Sequence, residues 1–284
     1  MNLTRSLEET NLGSLTTLKP KTTRLGQMAL ISETIEFDAD SLPAPVIGIA
    51  AELGKHDSGI HHHVKGQLLY APQGCINLTL ENALCILPPT KAVWIPPYTK
   101  HRAQMTNVVA YRSLYFDSSI YSCPEAIEIV EVNELLKALI NKMAFWDWNI
   151  TPEQTTNTAN LFWEEFYNAN QHSFILPLPT DRRFKGFCKQ VRTTSFLAPA
   201  LSTLANSVGA STKTITRLFK AETGMTYQEW RQQWRLFKVI ELLSENRQVG
   251  DVAHLLEFSS NSAFIAFFKQ QTGQTPLAFN KQGA

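Results

Sequence analysis

Long apolar runs are missing from this chain of 284 residues. No stretch approaches the roughly eighteen consecutive apolar residues that a membrane-spanning helix needs, so no transmembrane segment is expected. The first residues are polar, with Glu8 and Glu9 among them and no apolar run of the kind a secretion signal carries; no exported precursor is expected. Cysteine is scarce. Cys75, Cys85, Cys123 and Cys188 are scattered without CxxC spacing, which argues against a zinc ribbon and a disulfide scaffold and fits a reducing, cytoplasmic home. Net charge is nearly absent too, at +1.

That small total hides an asymmetry. From residue 178 onward there are 14 Lys/Arg against 7 Asp/Glu, or +7; the remaining 12 basic and 18 acidic residues give −6. A basic C-terminal part behind an acidic N-terminal one points to a polyanionic partner for the former, although scattered solvated charge would give the same count. The length allows two domains, each with its own core.

The chain changes character along its length. Residues 1–25 are polar and aperiodic and are expected to form a flexible tail. From 26 to 116 it breaks into short β-like runs, among them Gln67–Ala71, Cys75–Leu80, Ala83–Leu87, Lys91–Ile95 and Val109–Phe116, separated by Pro-Gln-Gly, Glu-Asn and Pro-Pro. Short strands punctuated by turns indicate a small sandwich or barrel. In 117–177 the pattern turns helical: Ile127, Ile129, Val130, Leu135, Leu136, Leu139 and Ile140 suggest an apolar stripe, and Pro152–Asn168 suggests a second helix. Beyond Pro177 and Pro179, residues 178–284 suggest short helices throughout. The expected fold class is α+β with two domains: an N-terminal β-barrel with a helical linker, and an all-α C-terminal domain.

The strongest pattern is an internal repeat. LSTLANSVGASTKTITRLFKAETGMT (Leu201 to Thr226) returns as VGDVAHLLEFSSNSAFIAFFKQQTGQT (Val249 to Thr275). Phe219-Lys220 and Thr223-Gly224 match Phe268-Lys269 and Thr272-Gly273 at an offset of 49, whereas Leu204-Ala205 matches Val252-Ala253 at 48, so the second turn is one residue longer. Each copy makes sense as a helix-turn-helix. A short helix ends near Ser207 or Leu255, and Ser211 or Ser259/Ser260 caps the next with a side-chain oxygen. Ala205 and Ala253 let the helices approach, Phe219 and Phe268 anchor the second helix, and Gly224 and Gly273 end it. Tyr227–Ser244 is expected to be one helix joining the copies, on the order of 27 Å long. That span could set two recognition helices one DNA turn, about 34 Å, apart.

Over roughly 185–280 the sequence resembles the AraC/XylS family of transcription regulators, in both repeats, the joining helix and the pieces VAHLLEF, FIAFFKQQTGQTP and LAF. The resemblance implies a DNA-binding domain with two helix-turn-helix motifs. By position, Ser211, Lys213, Thr216 and Arg217 would face the groove in the first recognition helix, with Arg217 the candidate for a bidentate guanine contact. The equivalents in the second are Asn261, Ser262, Ala263 and Ala266, so the first unit should carry most base discrimination. Lys220, Lys269, Ser211 and Ser260 are candidate phosphate partners. Two departures stand out: alanine at 266, where the family often has a long polar residue, and Glu257, where it usually has glycine. A left-handed turn at Glu257 would be strained by about 1 kcal/mol.

Five of the seven histidines lie between 56 and 101. His61-x-His63-x3-Gln67 and Pro96-x-Tyr98-x2-His101 resemble the two cupin motifs, in which two histidines and a glutamate meet a third histidine. On a strand, His61 and His63 would share one face and His62 the other. Here Gln67 replaces the carboxylate and Tyr98 the turn glycine. Three readings stay open: a divalent metal at His61, His63 and His101; an organic effector on the same face with Gln67; or structural histidines. The family resemblance further implies double-stranded DNA, a small-molecule or metal effector, RNA polymerase and a second copy of the chain as partners, the homodimer forming through the helix after the barrel; an activator role; and no membrane or catalytic role. A metal-dependent cupin enzyme fused to a DNA-binding domain is the alternative.

Overall fold

The computed structural model describes residues 37–53, 56–105, 109–171, 174–193 and 195–282. The expected tail, 1–25, and the first residues assigned to the barrel, 26–36, lie outside the described residues. The β-rich part contains β1 (Val46–Leu53), β2 (His56–Asp57), β3 (Gly66–Gln73), β4 (Ile76–Leu80), β5 (Ala83–Leu87), β6 (Lys91–Ile95), β7 (His101–Met105), β8 (Val109–Phe116), β9 (Glu128–Glu131) and, after two helices, β10 (Ile175–Pro177). Those helices are α1 (Glu134–Ala144) and α2 (Pro152–Asn168). The rest is helical: α3 (Lys185–Val191), α4 (Leu201–Ser207), α5 (Thr212–Thr223), α6 (Tyr227–Ser244), α7 (Val249–Leu255), α8 (Asn261–Thr272) and α9 (Pro276–Gln282). Among the described residues no helix is long and apolar enough to cross a membrane.

The strands form two antiparallel five-stranded sheets, ordered β1-β8-β3-β6-β9 and β10-β5-β4-β7-β2. Alternation along each strand tells which layer each face meets. In β6, Val93 and Ile95 point into the space between the sheets, whereas Ala92 and Trp94 point outward and join Phe162, Trp163 and Phe166 of α2. Both faces of this strand are covered, so it is apolar almost throughout. In β5, Cys85 and Leu87 point inward while Ile86, with Leu84 beside it, joins the core of the helical part. The molecule is thus layered: α1 and α2, the first sheet, the second sheet, then the C-terminal helices.

One expectation needs correcting. Ile127, Ile129 and Val130 are not on a helix: Ile129 and Val130 lie in β9, opposite Val93 and Ala92 of β6, and Ile127 packs beside the inter-sheet core. Over so few residues, alternation and helical spacing coincide, and the open edge of β6 decides for strand. Helix α1 starts only at Glu134, where Asn133 Oδ1 accepts the Leu136 N–H at 2.7 Å. Its stripe of Leu136, Leu139, Ile140 and Met143 is buried in the cluster that contains Val46, Ala50 and Leu114 of this chain's own first sheet. Gly48 of β1 permits that approach: a Cβ there would lie 1.9 Å from the Met143 carbonyl oxygen.

The helical part is built around α6. Its Tyr227, Trp230, Trp234 and Phe237 share a core with Phe184, Phe187, Phe219 and Phe268. The same core takes in Cys75, Ile86, Leu176 and Leu178 from the β-rich part. Phe174, just before β10, stacks on Phe237 at 5.9 Å between ring centroids. Asn77 of β4 donates to Glu241 of α6 at 2.8 Å, and Lys238 pairs with the same carboxylate at 2.7 Å.

Candidate nucleic-acid interface and histidine cluster

The two repeats fold alike. Helices α4 and α7 have 7 residues each, α5 and α8 have 12. In both turns a main-chain N–H reaches back to the small residue of the first helix: Ala210 to the Ala205 carbonyl at 3.0 Å, Phe258 to that of Ala253 at 2.9 Å. Both turns place one residue in the left-handed region, Gly209 at φ 65° and Glu257 at φ 57°. Glycine adopts that conformation freely; glutamate does not. Ser211 caps α5 by accepting the Thr214 N–H at 3.2 Å, and Ser260, rather than Ser259, caps α8 by accepting that of Ala263 at 3.1 Å. Gly224 and Gly273 close the helices at φ 75° and 77°.

On α5, Ile215 and Phe219 are fully buried while Lys213, Arg217 and Lys220 are exposed along the opposite stripe, with Ser211 at its start. Thr216 is half-buried and its hydroxyl donates to the Thr212 carbonyl at 3.0 Å. Lys220 lies 4.0 Å from Glu229, an exposed pair of little strength. On α8 the exposed face comprises Asn261, Ser262, Ile265, Ala266 and Lys269, with Ala263 half-buried. Ile265 was missed by the sequence reading; its place between Asn261 and Lys269 at helical spacing is the signal that could have found it.

Two arginines of α6 were missed as well. Arg231 donates to the Ala198 carbonyl at 2.9 Å, just ahead of the first unit, and pairs with Glu257 in the turn of the second at 3.3 Å. Arg235 donates to the Leu256 carbonyl and lies over the Phe258 ring at 3.9 Å. The strained turn is therefore held by α6 from both sides, and Arg231 ties the two units together.

In the β-rich part, His61, His63 and His101 come together, their potential ligand atoms all within 4.8 Å of one another. His61 and His63 are on an irregular extended segment rather than a regular strand, a difference from the expectation. Main-chain bonds hold this segment to the opposite one: His61 and His101 exchange N–H···O bonds of 3.0 and 2.9 Å, and the Tyr98 N–H donates to the His63 carbonyl at 2.7 Å. Tyr98 adopts φ 60° in a turn closed by the Thr99 N–H on the Pro96 carbonyl at 3.3 Å, a position that favours glycine. His62 turns away, its ring 6.5 Å from that of Tyr98.

Nδ1 of His101 donates to the Thr99 carbonyl at 2.8 Å and Nδ1 of His61 to that of Gly59 at 3.1 Å. Burial, with the neighbouring imidazoles opposing a second positive charge, pushes His63 and His101 down to about 4. Nε2 of His63 is buried and has no hydrogen-bond partner among the described residues. Gln67 points inward from β3; its amide donates to Ser113 at 3.0 Å and Tyr115 at 2.8 Å, while its Oε1 is buried without a partner among the described residues. The Tyr115 ring packs on that of His63 at 5.0 Å, so Gln67 and the histidines share a neighbour.

Parts of this sequence are shared with known proteins. Residues 204–282 match the family model described as a helix-turn-helix domain. The HTH-type transcriptional regulator NimR of Escherichia coli is 31% identical over 224 residues, 77% of this chain and 81% of that protein. The HTH-type transcriptional activator RhaR of Pectobacterium atrosepticum is 36% identical over 116 residues, 40% of this chain and 34% of that one. Among solved structures, fatty-acid-bound ToxT of Vibrio cholerae aligns over 85% of this chain and 96% of that one, with 10% identity and a TM-score of 0.35.

Proposed function

Since the chain belongs to the AraC-type family of helix-turn-helix transcription regulators, we propose that it reads a specific DNA sequence with both units under the control of an effector held on the histidine face of the β-rich part. The observation that carries this reading is the double use of α6. One helix joins both DNA-binding units, and the same helix is the surface on which the second sheet rests. Strand β7 spans the distance between the two: it begins at His101 and presents Gln104, opposite Asn77 of β4, to a cavity of about 90 Å³ that Glu241 and Lys238 also line. An effector needs to shift the balance between two such arrangements by only a few kcal/mol.

In this reading Lys213 and Arg217 face the major groove from α5, with Arg217 contacting guanine. Asn261, Ser262 and the methyl groups of Ala266 and Ile265 give α8 a surface of shape and apolar contact. Lys220, Lys269 and the Ser260 hydroxyl meet phosphates; Thr216, with its hydroxyl taken, contributes its methyl. The proposed domains follow the expected boundaries: a sensing part to residue 116, a linking segment 117–177 that supplies β9 and β10 as well as two helices, and the DNA-binding part from 178. A homodimer would use the outward faces of α1 and α2, where Leu135 and Leu161 are exposed. The alternative, an enzyme fused to a DNA-binding domain, needs a proton-transferring carboxylate where this chain has Gln67.

The test uses the full chain and a duplex selected by it from a random library. Arg217→Ala is expected to weaken specific binding by about 1–3 kcal/mol, and wild-type binding to fall steeply with salt. An unchanged footprint or salt-independent binding refutes the assignment.

A further inference from the structure

We propose that the histidine face is a binding site for one divalent first-row transition-metal ion, ligated by His61, His63 and His101, and that this ion is the effector of the β-rich part. The second half of the statement rests on the regulator reading above; the first half rests on the site alone.

Several independent features converge. A metal ligand must offer a lone pair, and in the neutral imidazole the Nδ1–H donations of His61 and His101 to the Gly59 and Thr99 carbonyls place that lone pair on Nε2. Such outer hydrogen bonds are what fix the tautomer and orientation of ligating histidines. Structural histidines would find partners within the fold, yet among the described residues Nε2 of His63 is buried and unpaired, and so is Oε1 of Gln67 on the same interior side. The backbone is also set for this arrangement: reciprocal bonds between His61 and His101 and the left-handed Tyr98 hold the two segments edge to edge.

The donor set selects the ion. Three imidazoles with no carboxylate among them suit zinc, nickel, cobalt or copper and give little to magnesium or calcium, which require oxygen donors. Ligand atoms within 4.8 Å of one another need to close to about 3.3 Å around a tetrahedral ion with metal–nitrogen bonds of about 2.0 Å, a movement that ring rotation supplies. Three protein ligands leave a position open for water or a small anionic group.

The full chain, stripped with a chelator, is titrated with Co²⁺ followed by its visible absorption bands, and with Zn²⁺ by calorimetry. One ion per chain is expected, with Mg²⁺ giving no signal. His61→Gln and His63→Gln should each weaken uptake at least about tenfold and bleach the cobalt bands, with circular dichroism confirming that half-exposed His61 can be replaced without unfolding. His62→Ala, whose ring faces away, should bind as wild type does. No uptake, or uptake that survives both glutamine substitutions, overturns the site. Affinity for the selected duplex, measured on the same samples with and without ion, separates the two claims. Ion uptake that leaves duplex affinity unchanged overturns the effector role alone. Duplex binding without ion uptake overturns the metal site and leaves the regulator reading standing. Ion uptake without any duplex affinity overturns the regulator reading and leaves the site.

Discussion

Replacing Asn77 by alanine tests whether the β-rich part and the DNA-binding part move relative to each other. Asn77 gives its amide N–H to the Glu241 carboxylate at 2.8 Å, and Glu241 keeps Lys238 when that bond is removed. A hydrogen bond to a charged group contributes about 1.5–3 kcal/mol. Asn77 is half-buried, so the lower end, about 1.5 kcal/mol, applies, or roughly a tenfold rise in the population in which sheet and helix have separated. Cys75 reports that population. It is 3% exposed within the core that β4 and α6 share, and burial pushes its thiol up to about 12. Only thiolate reacts with an alkylating reagent, so Cys75 is labelled when the interface opens and hardly at all when it is closed. Cys85 is equally buried but sits between the two sheets, and its thiol is also raised. In timed alkylation with peptide-level mass spectrometry, Asn77→Ala should label Cys75 about ten times faster than wild type and leave Cys85 unchanged. An unaltered Cys75 rate refutes the role given to this contact. A parallel rise at Cys85 means that the whole fold loosens and refutes the idea of two parts separating as units.

Glu257→Gly should release about 1–2 kcal/mol of left-handed strain, largely offset by the freedom glycine has in the unfolded chain and by loss of the pair with Arg231. Its melting temperature should match or exceed wild type, while Gly209→Ala at the matching turn should lower it; equal destabilisation by both contradicts the matched-turn argument. Hydrogen bonds from Arg102 hold the Asp57 carboxyl down at about 2, and that pair pins β2 to β7. A depressed acid stabilises the fold above its unfolded pKa of about 4 and loses that effect as the pH falls through its folded value. Asp57→Asn should therefore melt slightly below wild type at pH 5–7, by well under 1 kcal/mol for so exposed a pair, and the two curves should converge near pH 2. A constant gap across the range refutes the linkage.

Much of this structure was legible in residue order, for identifiable reasons. The repeat located α4, α5, α7 and α8 because each unit must bury the same small and aromatic positions, and those residues recur at fixed offsets. The extra residue in the second turn was visible as a change from 48 to 49. Strands β5 and β6 were legible as short runs bounded by turns. Strand β9 was not, because three apolar residues fit a strand and a helix equally well and only the neighbouring edge of β6 decides. The gathering of His61, His63 and His101 was foreseeable from their motifs, but the bare Nε2 of His63 depends on the surrounding fold. The packing of β4 and β5 on α6, and the contacts of Arg231 and Arg235 with the second turn, join residues far apart in the chain and leave no periodic trace.

The rod-like α6 has one more consequence. In the proposed two-unit reading, readers fixed to one stiff bar do not search independently: once the first is seated, the second is confined near its own half-site at a high effective concentration, and overall affinity exceeds that of either unit. The gain lasts only while both half-sites lie on the same side of the duplex. Insertion of about five base pairs, half a helical turn, rotates one half-site to the far side and abolishes it without altering a single contacted base. Operators for this protein should therefore tolerate substitution within the second half-site far better than a change in spacing.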